Sequence, residues 1–279
     1  MPIRNTQPTK RAAILGAGAA VALGGVAQAA GVERLVSGAA GSGSVDHAAF
    51  DALLDRYARG SRDGVVRVDY AGWTASASDR QGLRHYLQML AATDPLQLTR
   101  DEQFAFWANL YNALTLDVVL AAFPVGSIRQ IKPTLLALGP WKKVVTRIGG
   151  VDLTLDTIET AILRKGWRDP RVHYAINCAS FSCPNLPLRA WRGAGLSPAL
   201  DLAARAYVNH PRGVRFDGPS LIVSSIYKWY AADFGGSDAA IIQHLSLFAT
   251  PELSARLRAA GRISRDVYDW SLNATKSAA

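Results

Sequence analysis

The chain has 279 residues, of which 49% are hydrophobic and 19% charged, a balance that supplies a full apolar core and excludes an intrinsically disordered protein. Its length allows one large domain or two small ones, and two cysteines are too few for a disulfide-stapled mini-fold. The 31 basic and 22 acidic residues leave a net charge of +9, but the bases from Arg147 to Arg215 are scattered, without the dense run of a polyanion footprint, so no nucleic-acid partner is expected.

Residues 1–11 carry Arg4, Lys10 and Arg11 and no acid, and an uncharged Ala/Gly-rich stretch follows, ending in Ala27-Gln28-Ala29. This order of basic, apolar and small residues predicts an export signal over 1–29, cut after Ala29, and an exported protein, periplasmic or extracellular. The Ala/Gly composition reads against a retained transmembrane anchor, so contact with a membrane is expected only through this segment if it stays uncleaved. Thr9-Lys10-Arg11 loosely resembles a twin-arginine signal in which Lys10 breaks the arginine pair, and the export route stays open. Cleavage removes three bases and no acids, lowering the net charge to +6.

Residues 30–45 are rich in Gly, Ser and Ala and predict a flexible linker. Phe50, Leu53, Leu54 and Tyr57 then recur at helical spacing, 64–70 alternates as a short strand, and a second helix is predicted over 79–92. The strongest helix covers 101–123, where Phe104, Trp107, Tyr111, Leu114 and Val118 form one stripe and Phe106 and Leu110 widen it. A hairpin is predicted over 143–155 with Gly149-Gly150 at its turn, then a helix opening at Asp156, a strand over 171–177 and a helix over 197–209. Two short strands about Asp217-Gly218, helices at 225–233, 237–248 and 251–259, and a closing strand over 266–273 complete the chain. Helices interrupted by short hairpins, with no βαβ rhythm, give the fold class α+β: one mainly helical domain over 46–273 with short antiparallel strands, followed by a tail over 274–279.

Both cysteines lie in DPRVHYAINCASFSCPNL (169–186), five residues apart, with His173 five residues before the first. Together with FWANLYNALT (106–115), DTIE and ILR (156–164), IYKWYAADFGG (226–236) and YDWSLN (268–273), in this order, the segment resembles the family called domain of unknown function 547. The resemblance implies a shared fold and pocket, no settled activity, and a distant likeness to papain- and transglutaminase-like cysteine enzymes. In that family's pattern a histidine follows the glutamate of DTIE, and here Thr160 stands in its place.

Two readings of the cysteines stay open. In the first, Cys178 is the nucleophile of a cysteine-dependent hydrolase or acyl transferase on an amide or thioester, which requires a neighbouring group to ionise a thiol whose ordinary pKa is about 8.5. His173 is the nearest base in sequence, yet five residues of regular strand span about 17 Å and put the two side chains on opposite faces. Either the strand bends or the base is one of His47, His85, His210 and His244. Glu159 can orient a histidine, or serve as capping partner to Asp156. In the second reading the protein is a non-catalytic envelope binding module whose Cys178–Cys183 disulfide adds about 2 kcal/mol. His173 and the two cysteines offer three metal ligands without a fourth, so no metal is expected, and no cofactor. Asn109 and Asn112 on the long helix either hold a ligand or pin a loop, Tyr111 and Trp107 read as core, and Lys228 and Asp233 as a helix-face ion pair. The ligand is expected to be a small molecule or a peptide.

Overall fold

The computed structural model describes residues 28–36 and 40–275. The export signal over 1–29 lies outside the described residues except for Gln28 and Ala29, as do residues 276–279 of the tail. Where a flexible linker was expected over 30–45, residues 28–36 are helical (α1). Val32, Leu35 and Val36 hold helical spacing among the small residues, and Val32 and Leu35 are buried. Hydrogen bonds fasten the segment, from Gln28 to the Asp152 carbonyl, from Arg34 to the Gly149 carbonyl at 2.9 Å and from Arg100 to the Val36 carbonyl at 3.1 Å.

Helix α2 (Ala48–Tyr57) buries the expected stripe of Phe50, Leu53, Leu54 and Tyr57 and runs into an antiparallel pair, β1 (Ala58–Gly60) and β2 (Val66–Val68). Asp69 caps α3 (Tyr70–Ala75) through the Gly72 amide, and Ser76 caps α4 (Ala77–Ala92) through the Asp79 amide. Helix α5 (Arg100–Ala122) starts at the Thr99 cap, and every residue from Glu102 to Leu116 is buried. A helix that apolar all round belongs inside a core. Its length and composition would also suit a membrane span, yet it is packed within the protein.

The hairpin of β3 (Val144–Ile148) and β4 (Val151–Thr154) forms as expected, with Gly149 and Gly150 at φ of +55° and +82° in its turn. After it come a π-helical stretch (Thr157–Arg164), α6 (Lys165–Trp167), α7 (Val172–Ala175) and α8 (Leu196–Val208). Strands β5 (Val214–Asp217) and β6 (Ser220–Ser224) pair antiparallel, and α9 (Ile226–Trp229), α10 (Asp238–Phe248) and α11 (Pro251–Ala260) follow. The last strand, β7 (Arg265–Val267), lies parallel to β6, giving an α+β domain with three small sheets among the described residues.

Two expected strands differ. Residues 171–177 hold the one-turn helix α7 followed by extended chain. Asp169 starts the turn: its side chain accepts from the Arg171 amide at 2.8 Å and its carbonyl from the Val172 amide at 3.1 Å. All four residues of α7 are buried, so the segment has no polar face whose spacing could separate helix from strand. Over 266–273 only the beginning is ladder. The remainder runs extended, held by bridges from Ser180 to Leu272 and from Val68 to Ala274.

Two apolar cores result. The larger surrounds α5 and includes Val172, Ala175 and Ile176; the smaller, under α8, β5, β6, α10 and α11, takes Tyr174. Helix α7 therefore lies across the seam between them. Asn109 of α5 fastens the loop before α8, accepting from the Trp191 amide and donating to the Trp191 carbonyl, each at 2.9 Å. Asn109→Ala strands both buried backbone groups and should lower the unfolding free energy by about 2–4 kcal/mol in a urea titration with unchanged slope. A loss below about 1 kcal/mol would show that water substitutes for the amide.

Candidate active site

At the seam lies a cavity of about 500 Å³ whose wall includes Cys178, Cys183, His173 and Glu159, four of the six residues singled out in the sequence. Asn109 and Asn112 act behind the wall. Asn112 donates to the Ala175 carbonyl at 3.0 Å and accepts from the Asn177 amide at 2.8 Å, clamping the short chain between His173 and Cys178. Asn177 extends the clamp, accepting from the Ala179 amide and donating to the Pro184 carbonyl. The bend that a strand would have denied is built into α7, and it lets residues five apart reach one cavity.

Cys178 is half-buried and sits just before Ala179, whose φ of +62° turns the chain sharply. Its sulfur lies 3.0 Å from the Ser180 hydroxyl and 3.3 Å from that of Tyr268, and those two hydroxyls are 2.7 Å apart. Cys183 adds a hydrogen bond to the same sulfur, and its own sulfur accepts from the Cys178 amide at 3.2 Å. Hydrogen bonds from Cys183, Ser180 and Tyr268 stabilise the Cys178 thiolate against the opposing effect of burial, bringing its pKa down to about 7. Burial, reinforced by Cys178, pushes the Cys183 thiol up, so the pair is unequal. Both are free thiols in this structure.

Also in the wall, His173 places its Nε2 2.7 Å from Asp233 Oδ2. Arg164 grips the same carboxylate through Nε at 2.5 Å and a terminal nitrogen at 3.1 Å. Burial alone would raise the Asp233 carboxyl, but the bonds from His173 and Arg164 outweigh it and hold the group below the usual carboxylate range. An ionised carboxylate only accepts, so Nε2 carries the hydrogen at this contact. The imidazole is packed against Tyr230, ring centroids 4.3 Å apart, and Phe234. No hydrogen bond joins His173 to Cys178 among the described residues. The other four histidines are not part of the wall: His47 bonds Tyr86, His244 bonds Tyr174, His210 bonds the Asp63 carbonyl, and His85 is exposed.

Three expectations are corrected here. Glu159 is no capping partner: Asp156 makes no side-chain cap, the Thr157 amide is taken by Thr154, and Glu159 is buried, accepting from the Tyr111 hydroxyl at 3.1 Å. The carboxylate that orients His173 is Asp233. Lys228 does not pair with Asp233 either, because α9 ends at Trp229 and the next turn is re-aimed; Lys228 meets Asp238 at 2.9 Å. Thr160, in the place of the expected histidine, is half-buried and is no part of the cavity wall. Tyr111 is core, as read from its stripe, and also reaches the cavity, while Trp107 is core alone.

Sequence reasoning missed Asp233, Arg164, Ser180 and Tyr268 as site residues. Ser180 and Tyr268 lay in segments already singled out, but nothing in their spacing shows that residues 88 apart meet. Asp233 carried one signal, an acid in the otherwise aromatic IYKWYAADFGG.

Residues 95–208 match the family model described as "Protein of unknown function, DUF547". The matched stretch contains Glu159, Arg164, His173 and both cysteines; Asp233 and Tyr268, and the motifs at 226–236 and 268–273, lie beyond it. No curated protein and no solved structure matches the chain.

Asp233 makes a pH-dependent contribution to stability. Its folded value lies below the unfolded one of about 3.9, so the contribution is complete above roughly pH 4 and is lost as the pH falls further. Thermal unfolding followed from pH 6 downward should show the wild type losing its margin over Asp233→Asn below about pH 4. Parallel acid limbs in the two proteins would show that the carboxylate is not held by His173 and Arg164.

Proposed function

Starting from a chain whose residues 95–208 match the DUF547 family model, we propose that the protein is a cysteine-dependent hydrolase or acyl transferase acting on an amide or thioester, with Cys178 as its nucleophile. The observation that carries the reading is the shared cavity. A half-buried sulfur with three hydrogen-bonding neighbours faces a space that also receives an imidazole aligned by a carboxylate.

The chemistry follows from the two walls. Cys178 enters as thiolate, with the displaced proton on His173 Nδ1. Sulfur attacks the acyl carbon, a C–S bond forms and the carbonyl electron pair moves to oxygen. On collapse the bond to the leaving nitrogen or sulfur breaks, and that atom takes the proton from His173. Water, or an acceptor in a transfer reaction, then attacks the thioester carbon, giving its proton back to His173 as Cys178 departs. Asp233 holds the ring nitrogen on the far side and stabilises the imidazolium, and Arg164 fixes Asp233 in turn. Cys183 and the two hydroxyls, rather than the imidazole, favour the thiolate, which leaves His173 free to serve the leaving group. Glu159 and Tyr111 form the floor, no cofactor takes part, and a small molecule or a peptide supplies the acyl group. The work is done outside the cytoplasm, an address supported by the order of residue types over 1–29.

The adjacency of the two sulfurs also favours a second reading, a binding module closed by a Cys178–Cys183 disulfide. Iodoacetamide labelling of the purified protein without reductant separates the two. The proposal requires alkylation at Cys178 with a midpoint near pH 7, absent in Cys178→Ala and moved up toward pH 8 in Ser180→Ala and Tyr268→Phe, which lose thiolate-stabilising donors. Labelling that requires prior reduction would establish the disulfide module, and a rate that climbs only above pH 8 would show an unactivated thiol.

A further inference from the structure

Between Asp117 and Asp152 the chain has no acidic residue, and it carries five bases: Arg129, Lys132, Lys142, Lys143 and Arg147. All five are exposed. Arg147 pairs with Asp152 at 3.4 Å, while among the described residues the other four have no acidic partner. The middle of this segment is an apolar tip in which Leu135, Leu136 and Leu138 are 96%, 94% and 72% exposed. One turn bond, from the Ala137 amide to the Thr134 carbonyl at 3.1 Å, ties the tip to itself.

Three leucines within four residues, exposed to water and flanked by cations without acidic partners, are an arrangement that a folded chain gains nothing from on its own. We infer that residues 132–143 dock on a lipid surface rich in anionic headgroups. The leucines enter the boundary between headgroups and acyl chains, and Arg129, Lys132, Lys142 and Lys143 meet the phosphates. The neighbouring surface has the same character. Trp229, 49% exposed, stacks on Trp270 with centroids 5.5 Å apart, and Trp141 meets Trp270 at 5.7 Å, an aromatic rim of the kind that favours a membrane interface. The base of the loop also lines a groove of about 380 Å³, walled by Leu114, Val118, Ile131 and Val144, with Lys132, Lys143 and Asp117 beside them. A second copy of the chain is a poor occupant, because it would set this positive segment against a positive segment.

Leu138, Trp141 and Arg129 also belong to the wall of the cavity that holds Cys178. Docking through this loop would open that cavity toward the lipid surface. The inference uses no chemistry at Cys178 and stands apart from the proposed reaction, so it is tested without turnover.

The test is flotation of the full chain with vesicles of phosphatidylglycerol and phosphatidylcholine or of phosphatidylcholine alone, together with hydrogen exchange of the 132–143 amides. Anionic vesicles should carry the wild type and slow exchange across 132–143, and 0.5 M salt should weaken both effects. Leu135→Asp/Leu136→Asp and Lys142→Glu/Lys143→Glu should each cut partitioning at least tenfold; the altered residues are exposed, and an unchanged near-UV spectrum verifies the fold. The N-terminal apolar segment is common to all variants, and the exchange measurement is local to the loop. Exchange at 132–143 unaffected by anionic vesicles, equal protection by neutral ones, or protection that grows with protein concentration in the absence of lipid would each overturn the inference, the last in favour of a second copy.

Discussion

Everything at the site depends on one buried amide. Asn112 sits in the interior of α5, where each turn of the helix is enclosed, and spends both ends of its side chain on the backbone between His173 and Cys178. A buried backbone group without a partner costs about as much as several good contacts give, so the linker has only the path on which Asn112 satisfies it. That path bends. The bend brings to one cavity two side chains that regular structure would have separated, and Asn177 and Ala179 carry the same constraint on to the sulfur. The rigidity of the core helix is thereby passed to Cys178 through two amide side chains.

The seam location follows from how the two cores divide the segment. Val172 and Ala175 answer to the core around α5, and Tyr174 to the core beneath α8 and α10. A four-residue helix anchored on opposite sides has little room to drift, and His173 takes its place from that anchoring as much as from Asp233. The cavity is then walled from both directions. Glu159 and Tyr111 come from the α5 side, and Tyr230 and Tyr268 from the other. Charge is handled locally as well: burial penalises each ionised group, and Arg164 and the imidazole answer it at Asp233.

What the sequence made legible was periodicity and punctuation. The continuous apolar surface of α5 marked its burial, Gly149-Gly150 and Asp217-Gly218 marked their hairpins, and the cysteine segment marked the cavity. Periodicity failed where a segment is buried on every side, as in α7, since helix and strand then show the same apolar run. Composition misled at residues 28–36, where small residues concealed three apolar ones in register. Counting bases along the chain showed scatter and missed the absence of acids from Val118 to Val151, which is a property of the gaps and not of the bases. Asp233 was out of reach for another reason. It meets His173 across 60 residues, and nothing local distinguishes it from an acid that pairs one turn away.

The hydroxyl of Tyr268 reaches Cys178 across 90 residues of chain. Synthesis is vectorial, so during elongation the thiol exists for all of that interval without the phenol, and without the extended segment that bonds the Ala179 carbonyl and the Phe181 amide. A nascent chain carries Cys178 with one of its three stabilising partners missing. The thiol with the lowered pKa is a property of the finished fold, and the distance between two residues in the gene becomes a delay between making a cysteine and completing its hydrogen-bonding shell.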